Sequence, residues 1–161
     1  MGVIVMTFRK RTDRPESAER GIIYSCCLGE VKSLDRISED LFPSLFVGDG
    51  FCILPTGNIF VCPVKGVIKD ISENGMDITI KTSDGLILIV SLGKEGGKAI
   101  KAEVCVQRGD IVPAGAELWK TDGIDGSLVC VVVVTNCNGK DFKINYGRVK
   151  QLDQPIMKIS I

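Results

Sequence analysis

The chain has 161 residues, 45% hydrophobic and 25% charged, with 20 basic and 20 acidic side chains that cancel. That length suits one domain with a single substantial core, and the balance of apolar and charged residues argues against disorder. Zero net charge and 6% aromatic content leave no general field and few stacking platforms for nucleic acid, so nucleic-acid partners are not expected.

Residues 1–20 read as a flexible basic lead-in. Pro15 interrupts it, and Arg9, Lys10, Arg11, Arg14 and Arg20 are partly balanced by Asp13, Glu16 and Glu19. Val3, Ile4, Val5, Met6 and Phe8 beside those arginines leave a weak membrane-surface contact open. The apolar start is too brief for a signal-peptide core, and Met6 stands where a myristoylation signal needs Ser or Thr. The longest apolar runs, residues 86–90 and 128–134, are far short of a bilayer span. A cytoplasmic location is expected.

From Gly21 onward short strands predominate. Ile22-Ile23-Tyr24-Ser25 leads to Leu28-Gly29-Glu30-Val31, and a polar connection leads to an apolar segment with Phe42 and Phe46. Gly48-Asp49-Gly50 is not a dinucleotide fingerprint, because Ile53 stands at the third glycine position and no helical pattern follows. It predicts a tight turn feeding a strand over 51–54. Pro55-Thr56-Gly57-Asn58 is the next turn, followed by a strand over 59–62.

Residues 64–93 are the centre of the chain. A Gly-punctuated strand, a turn at Glu73-Asn74-Gly75 and two strands joined by Ser83-Asp84-Gly85 predict a hairpin. Ile78 and Ile80 alternate with Thr79 and Lys81, while Leu86-Ile87-Leu88-Ile89-Val90 is apolar on both faces, as in a strand enclosed by two layers. Residues 93–98 imitate a phosphate loop, but Leu92 takes its first glycine position and Ala99 its Ser/Thr position, which predicts a surface loop instead.

Later strand signals fall at 102–106, 128–134 and 156–161, with Gly109-Asp110-Ile111-Val112 echoing the earlier Gly48-Asp49 segment. No stretch holds a helical stripe over three turns, so the chain reads as all-β with many short strands.

The seven cysteines are odd in number, include the adjacent Cys26 and Cys27, and form no CxxC pair. With no histidine in the chain, a zinc site would need four distant thiolates or carboxylates. Cys52, Cys62, Cys105 and Cys130 lie in apolar strand patterns and are expected as buried thiols; no metal and no cofactor is expected.

The segment Leu41-Phe42-Pro43-Ser44-Leu45-Phe46-Val47 ahead of Gly48-Asp49-Gly50, with Pro55-Thr56-Gly57-Asn58 and Pro63-Val64-Lys65-Gly66, carries a specific likeness. So do Asp84-Gly85, Leu92-Gly93, Gly109-Asp110-Ile111-Val112 and Gly115. In order and spacing they resemble the glucose-family IIA component of the bacterial phosphoenolpyruvate-dependent sugar phosphotransferase system. The likeness covers residues 21–161, read as one domain.

The resemblance implies a barrel-sandwich hybrid, a duplicated hybrid motif. It also implies protein partners: the phosphocarrier protein, a IIB domain or a permease. In the family, one hairpin histidine accepts phosphate and a second supports it; here those positions align to Met76 and Ser91. Imidazole is a nucleophile near neutral pH whose N–P bond keeps a high transfer potential, whereas a serine ester is too stable to pass its phosphate on. Met76 offers no base to activate a serine hydroxyl, so no catalytic residue is expected.

What the resemblance leaves is docking. Leu41, Phe42, Phe46, Val47, Met76, Ile89 and Ser91 match the positions that ring the family's active depression. The expected function is a non-phosphorylatable binding or regulatory module in sugar uptake. The alternative is a phosphotransferase subunit using a non-histidine acceptor, Ser91 or a cysteine.

Overall fold

The computed structural model describes residues 20–37 and 48–161. The lead-in before Arg20, and Leu41, Phe42, Phe46 and Val47, lie outside the described residues. The described chain forms β1 (Ile22–Tyr24), β2 (Gly29–Lys32), β3 (Asp49–Pro55), β4 (Ile59–Val61), β5 (Gly66–Ile71), β6 (Asp77–Lys81) and β7 (Ile87–Lys94). It continues with β8 (Ala102–Val104), β9 (Ile111–Val112), β10 (Glu117–Thr121), β11 (Leu128–Val134), β12 (Phe142–Ile144), β13 (Gly147–Val149) and β14 (Pro155–Ile159). The helical content among described residues is two single 3-10 turns, Leu34–Arg36 and Glu95–Gly97. No helix of the described residues is long and apolar enough to cross a membrane.

β11 organises the rest. Its sequence Leu-Val-Cys-Val-Val-Val-Val is dominated by β-branched residues, and all seven positions are buried. It lies between β3 and β7 in an eight-stranded antiparallel sheet ordered β13-β2-β3-β11-β7-β6-β5-β9. Alternation sends Cys130, Val132 and Val134 into the main core, and Val129, Val131 and Val133 into a second cluster with Cys52 and Ile37. A strand buried on both faces has no polar side to present, which is why its sequence does not alternate. Two three-stranded sheets, β1-β14-β12 and β4-β10-β8, complete the fold.

The predicted tight turn at Gly48-Asp49-Gly50 is instead the beginning of β3. Neither glycine has a positive φ; both are required by close backbone approach. A Cβ on Gly50 would lie 1.9 Å from the Val132 carbonyl oxygen, and one on Gly48 2.0 Å from that of Val134.

The predicted central hairpin is present. β6 and β7 pair antiparallel, with Ile78 opposite Val90 and Ile80 opposite Leu88. The connection folds because the Thr82 hydroxyl donates to Asp84 and accepts the Leu86 N–H at 3.0 Å. Asn136, one turn beyond β11, accepts the Ile87 N–H at 2.9 Å and donates to the Gly85 carbonyl at 2.8 Å. Its amide extends the sheet where β11 has ended. The two-layer cover of this strand is less complete than its uniform apolar sequence implies: Ile87 and Ile89 are half-buried, and burial on both faces begins at Val90.

The main core gathers Trp119, Phe51, Phe60, Ile78, Ile80, Leu88, Leu118 and Ile156 between the sheets. Six of the seven cysteines are buried; Cys105, expected as a buried thiol within a strand over 102–106, is instead half-buried and lies one residue beyond the end of β8.

Candidate functional site

Hairpin geometry sets the environment of Met76 and Ser91. Ser91 sits on β7 directly opposite Asp77 of β6 on one side and Val131 of β11 on the other. It is 1% exposed. A hydroxyl this deep needs a partner, and Ser91 Oγ donates to Asp77 Oδ1 at 2.5 Å. Asp77 is half-buried at the start of β6. Val131 belongs to the second apolar cluster, so the Ser91–Asp77 pair lies at the margin of that cluster.

Met76 immediately precedes β6. Its carbonyl accepts the Leu92 N–H at 2.9 Å, which joins the two strands beside Ser91. Its half-buried side chain packs against the main core cluster. The turn that delivers Met76 is fixed from within: Asn74 Oδ1 accepts the Met76 N–H at 3.0 Å, and Gly75 takes φ 79°. The buried Trp119 donates its indole N–H to the Gly75 carbonyl at 2.8 Å. Ile89 is half-buried on β7, opposite Thr79 and Val133.

The hairpin brings Met76 and Ser91 close along the backbone but packs them against different clusters, Met76 on the main core and Ser91 with Asp77 at the margin of the second; sequence reasoning overlooked Asp77. Asp77 is the carboxylate that the serine was thought to lack. The signal was available: a hairpin closing at residues 82–86 pairs positions whose numbers sum to 168, which puts 77 opposite 91. Trp119 was also missed, and nothing local in the sequence links it to Gly75.

Chemically, the pair is an enclosed hydroxyl held by a half-buried carboxylate. A carboxylate of this kind can accept the serine proton, so the site has the parts of a nucleophile and base. It contains no imidazole. The predicted surface loop follows β7: Glu95, Gly96, Lys98 and Ala99 are exposed, and Lys94 is ion-paired to Asp125 at 3.1 Å. Asp125 is held down to about 2 by the Ser127 hydroxyl and N–H and by the Lys94 ammonium.

Residues 21–140 match the family described as phosphoenolpyruvate-dependent sugar phosphotransferase system, EIIA 1. Among curated relatives, the glucose-specific EIICBA component of Staphylococcus carnosus is 30% identical over a 159-residue alignment that covers 92% of this chain but only 23% of that protein's length. The glucose-specific EIIA component of Haemophilus influenzae is 31% identical over 120 residues, covering 70% of each chain. Among solved structures, glucose permease IIA from Mycoplasma capricolum superposes with a TM-score of 0.70 at 25% identity, covering 84% of this chain and 94% of that one. The all-β barrel-sandwich architecture expected from the sequence is therefore the architecture found. By family match, sequence relatives and fold together, the chain belongs to the EIIA 1 family of the phosphoenolpyruvate-dependent sugar phosphotransferase system.

Proposed function

We propose that this chain is an EIIA-type component that does not relay phosphate through histidine and acts as a non-phosphorylatable docking or regulatory module in sugar uptake. The observation that carries the reading is the acceptor position itself. The chain has no histidine, and Ser91 is 1% exposed with its hydroxyl committed to Asp77. A phosphoryl donor must reach a nucleophile in line, and a hydroxyl so enclosed is not presented to one.

The partners are those with which family members work: the phosphocarrier protein, a IIB domain or a permease, met at the cytoplasmic face of the membrane. The docking residues in this reading are Leu41, Phe42, Phe46, Val47, Met76 and Ile89; Ser91, expected among them from the resemblance, is enclosed at 1% exposure and supports the surface from beneath. Replacing imidazole by a thioether makes the hollow more apolar, which favours association over catalysis. Which sugar the module serves follows from the partner.

The test incubates the chain with phosphoenolpyruvate and the general relay proteins, measures intact mass, and titrates it against the phosphocarrier protein and IIB domains. An unmodified mass with saturable binding supports the proposal. A phosphorylated mass, or no binding to any of these components, overturns it.

One observation favours a second reading, in which phosphate enters through a non-histidine acceptor. Asp77 supplies the base that Ser91 requires. In that reading the mass rises by one phosphoryl group, the group maps to Ser91, and Ser91→Ala abolishes it. A serine ester would retain its phosphate, so this route ends in a switched state and not a relay.

A further inference from the structure

Three cysteines that share no sequence motif meet in the core. Cys26 and Cys27 lie in the connection between β1 and β2, and Cys130 comes from β11, 104 residues from Cys26. All three are 0% exposed and none is in a disulfide. Their Sγ atoms all lie within 4.8 Å of one another, and Cys26 and Cys130 sulfurs are 3.1 Å apart.

The connection that presents the first two is pinned. The Cys26 carbonyl accepts the Val61 N–H at 2.8 Å, and Ser25 Oγ donates to the Cys27 carbonyl at 2.5 Å. Among the described residues no histidine, carboxylate or fourth thiol joins the group. Desolvation first, and then bonding to the other two thiols, pushes Cys27 well above its ordinary value; Cys130 is raised chiefly by its bond to Cys26. The cluster is three closely packed, enclosed sulfurs with no other ligand atom among the described residues.

That combination selects its ligand. Zinc takes four donors in a closed structural site and would leave the three thiolates with a net negative charge. Monovalent copper accepts soft sulfur, but with two thiolates it carries one negative charge and with three it carries two. An unpaired charge in a dry core is heavily penalised. Trivalent arsenic differs, because three sulfurs complete its valence with no charge left over. We propose that Cys26, Cys27 and Cys130 form a three-sulfur site for trivalent arsenic, taken up as arsenous acid.

The exchange balances. Three As–O and three S–H bonds break, three As–S bonds form, and three water molecules leave; arsenic stays trivalent and no electron moves. A pyramid with bonds near the ~2.3 Å of a zinc–thiolate bond needs sulfurs roughly 3.5 Å apart. The observed separations, 3.1 Å for one pair and within 4.8 Å for all three, bracket that spacing. Because the thiols are fully enclosed, entry waits on local opening, so capture is slow in the native protein and accelerates in mild denaturant.

The test uses the full reduced chain and arsenite. Native-state intact mass is expected to gain one arsenic atom and lose three hydrogens, and the thermal midpoint is expected to rise with arsenite concentration. Cys26→Ala and Cys130→Ala lose the three-sulfur adduct, any residue of it retaining a hydroxyl on arsenic; Cys105→Ala keeps it. Arsenic-edge X-ray absorption on the unmutated protein counts the neighbours without relying on any variant, and three sulfurs with no oxygen are expected. An oxygen neighbour there, an adduct that forms only after full unfolding, or a three-sulfur adduct that survives loss of Cys26 or Cys130 overturns the assignment.

Discussion

Removing the Ser91 hydroxyl tests whether the position proposed as equivalent to the family's phosphate acceptor is a structural lock. Ser91→Ala deletes a donor that is 1% exposed and bonded at 2.5 Å to the Asp77 carboxylate. Hydrogen bonds to charged groups contribute about 1.5–3 kcal/mol. Asp77 is half-buried, and water replaces part of what it loses, so the lower end applies: about 1.5 kcal/mol. Urea unfolding at neutral pH, with m on the order of 1–3 kcal/mol/M, converts this into a midpoint shift of about 0.5–1.5 M at unchanged m. Asp77→Ala and the double variant complete a cycle, in which the double variant is less destabilised than the sum by about 1 kcal/mol. A coupling below about 0.3 kcal/mol, the level at which independent sites add, would refute the lock.

Introducing imidazole addresses the proposed function directly: Met76→His with Ser91→His is expected to accept a phosphoryl group from the general relay proteins, read by intact mass. A folded double variant that stays unmodified would refute the equivalence of these positions to the family's histidines. Gly50→Ala forces a Cβ to within 1.9 Å of the Val132 carbonyl oxygen and is expected to cost ~3 kcal/mol or to prevent folding. Gly57→Ala, with nothing within 4 Å of the new Cβ, is expected within about 0.5 kcal/mol of the unmutated chain, both by urea midpoint. Trp119→Phe strands the buried Gly75 carbonyl and is expected to cost about 1–3 kcal/mol, with faster amide exchange over residues 72–77. Asp125 is depressed from 3.8 to about 2 by Ser127 and then Lys94; its contribution is complete above the unfolded value and lost as pH falls through the folded one. Asp125→Asn should therefore flatten the stability slope between about pH 4 and pH 2, and an unchanged slope counts against the bonds drawn at that loop.

Much of this was available from the linear chain. Period-two alternation at Ile78 and Ile80, β-branched composition over residues 128–134, and turn residues at 73–75 and 83–85 are local signals, because side-chain direction in a strand depends only on position along it. The family likeness and the absence of histidine from the sequence were equally one-dimensional facts. What the sequence did not reveal depends on which strands meet. Gly48 and Gly50 looked like turn glycines until β11 was laid against them and its carbonyls required bare backbone. Asp77 became the partner of Ser91 only through hairpin register, and Trp119 reached the Gly75 carbonyl across 44 residues. Cys130 read as a small hydrophobe in an apolar strand, and Cys26 and Cys27 as an adjacent pair belonging to no motif, since a thiol carries no mark of its distant neighbours. Their convergence belongs to the closed sheets alone: residues far apart in sequence are brought within bonding distance only when burial of the strands between them outweighs the entropy of closing the loop.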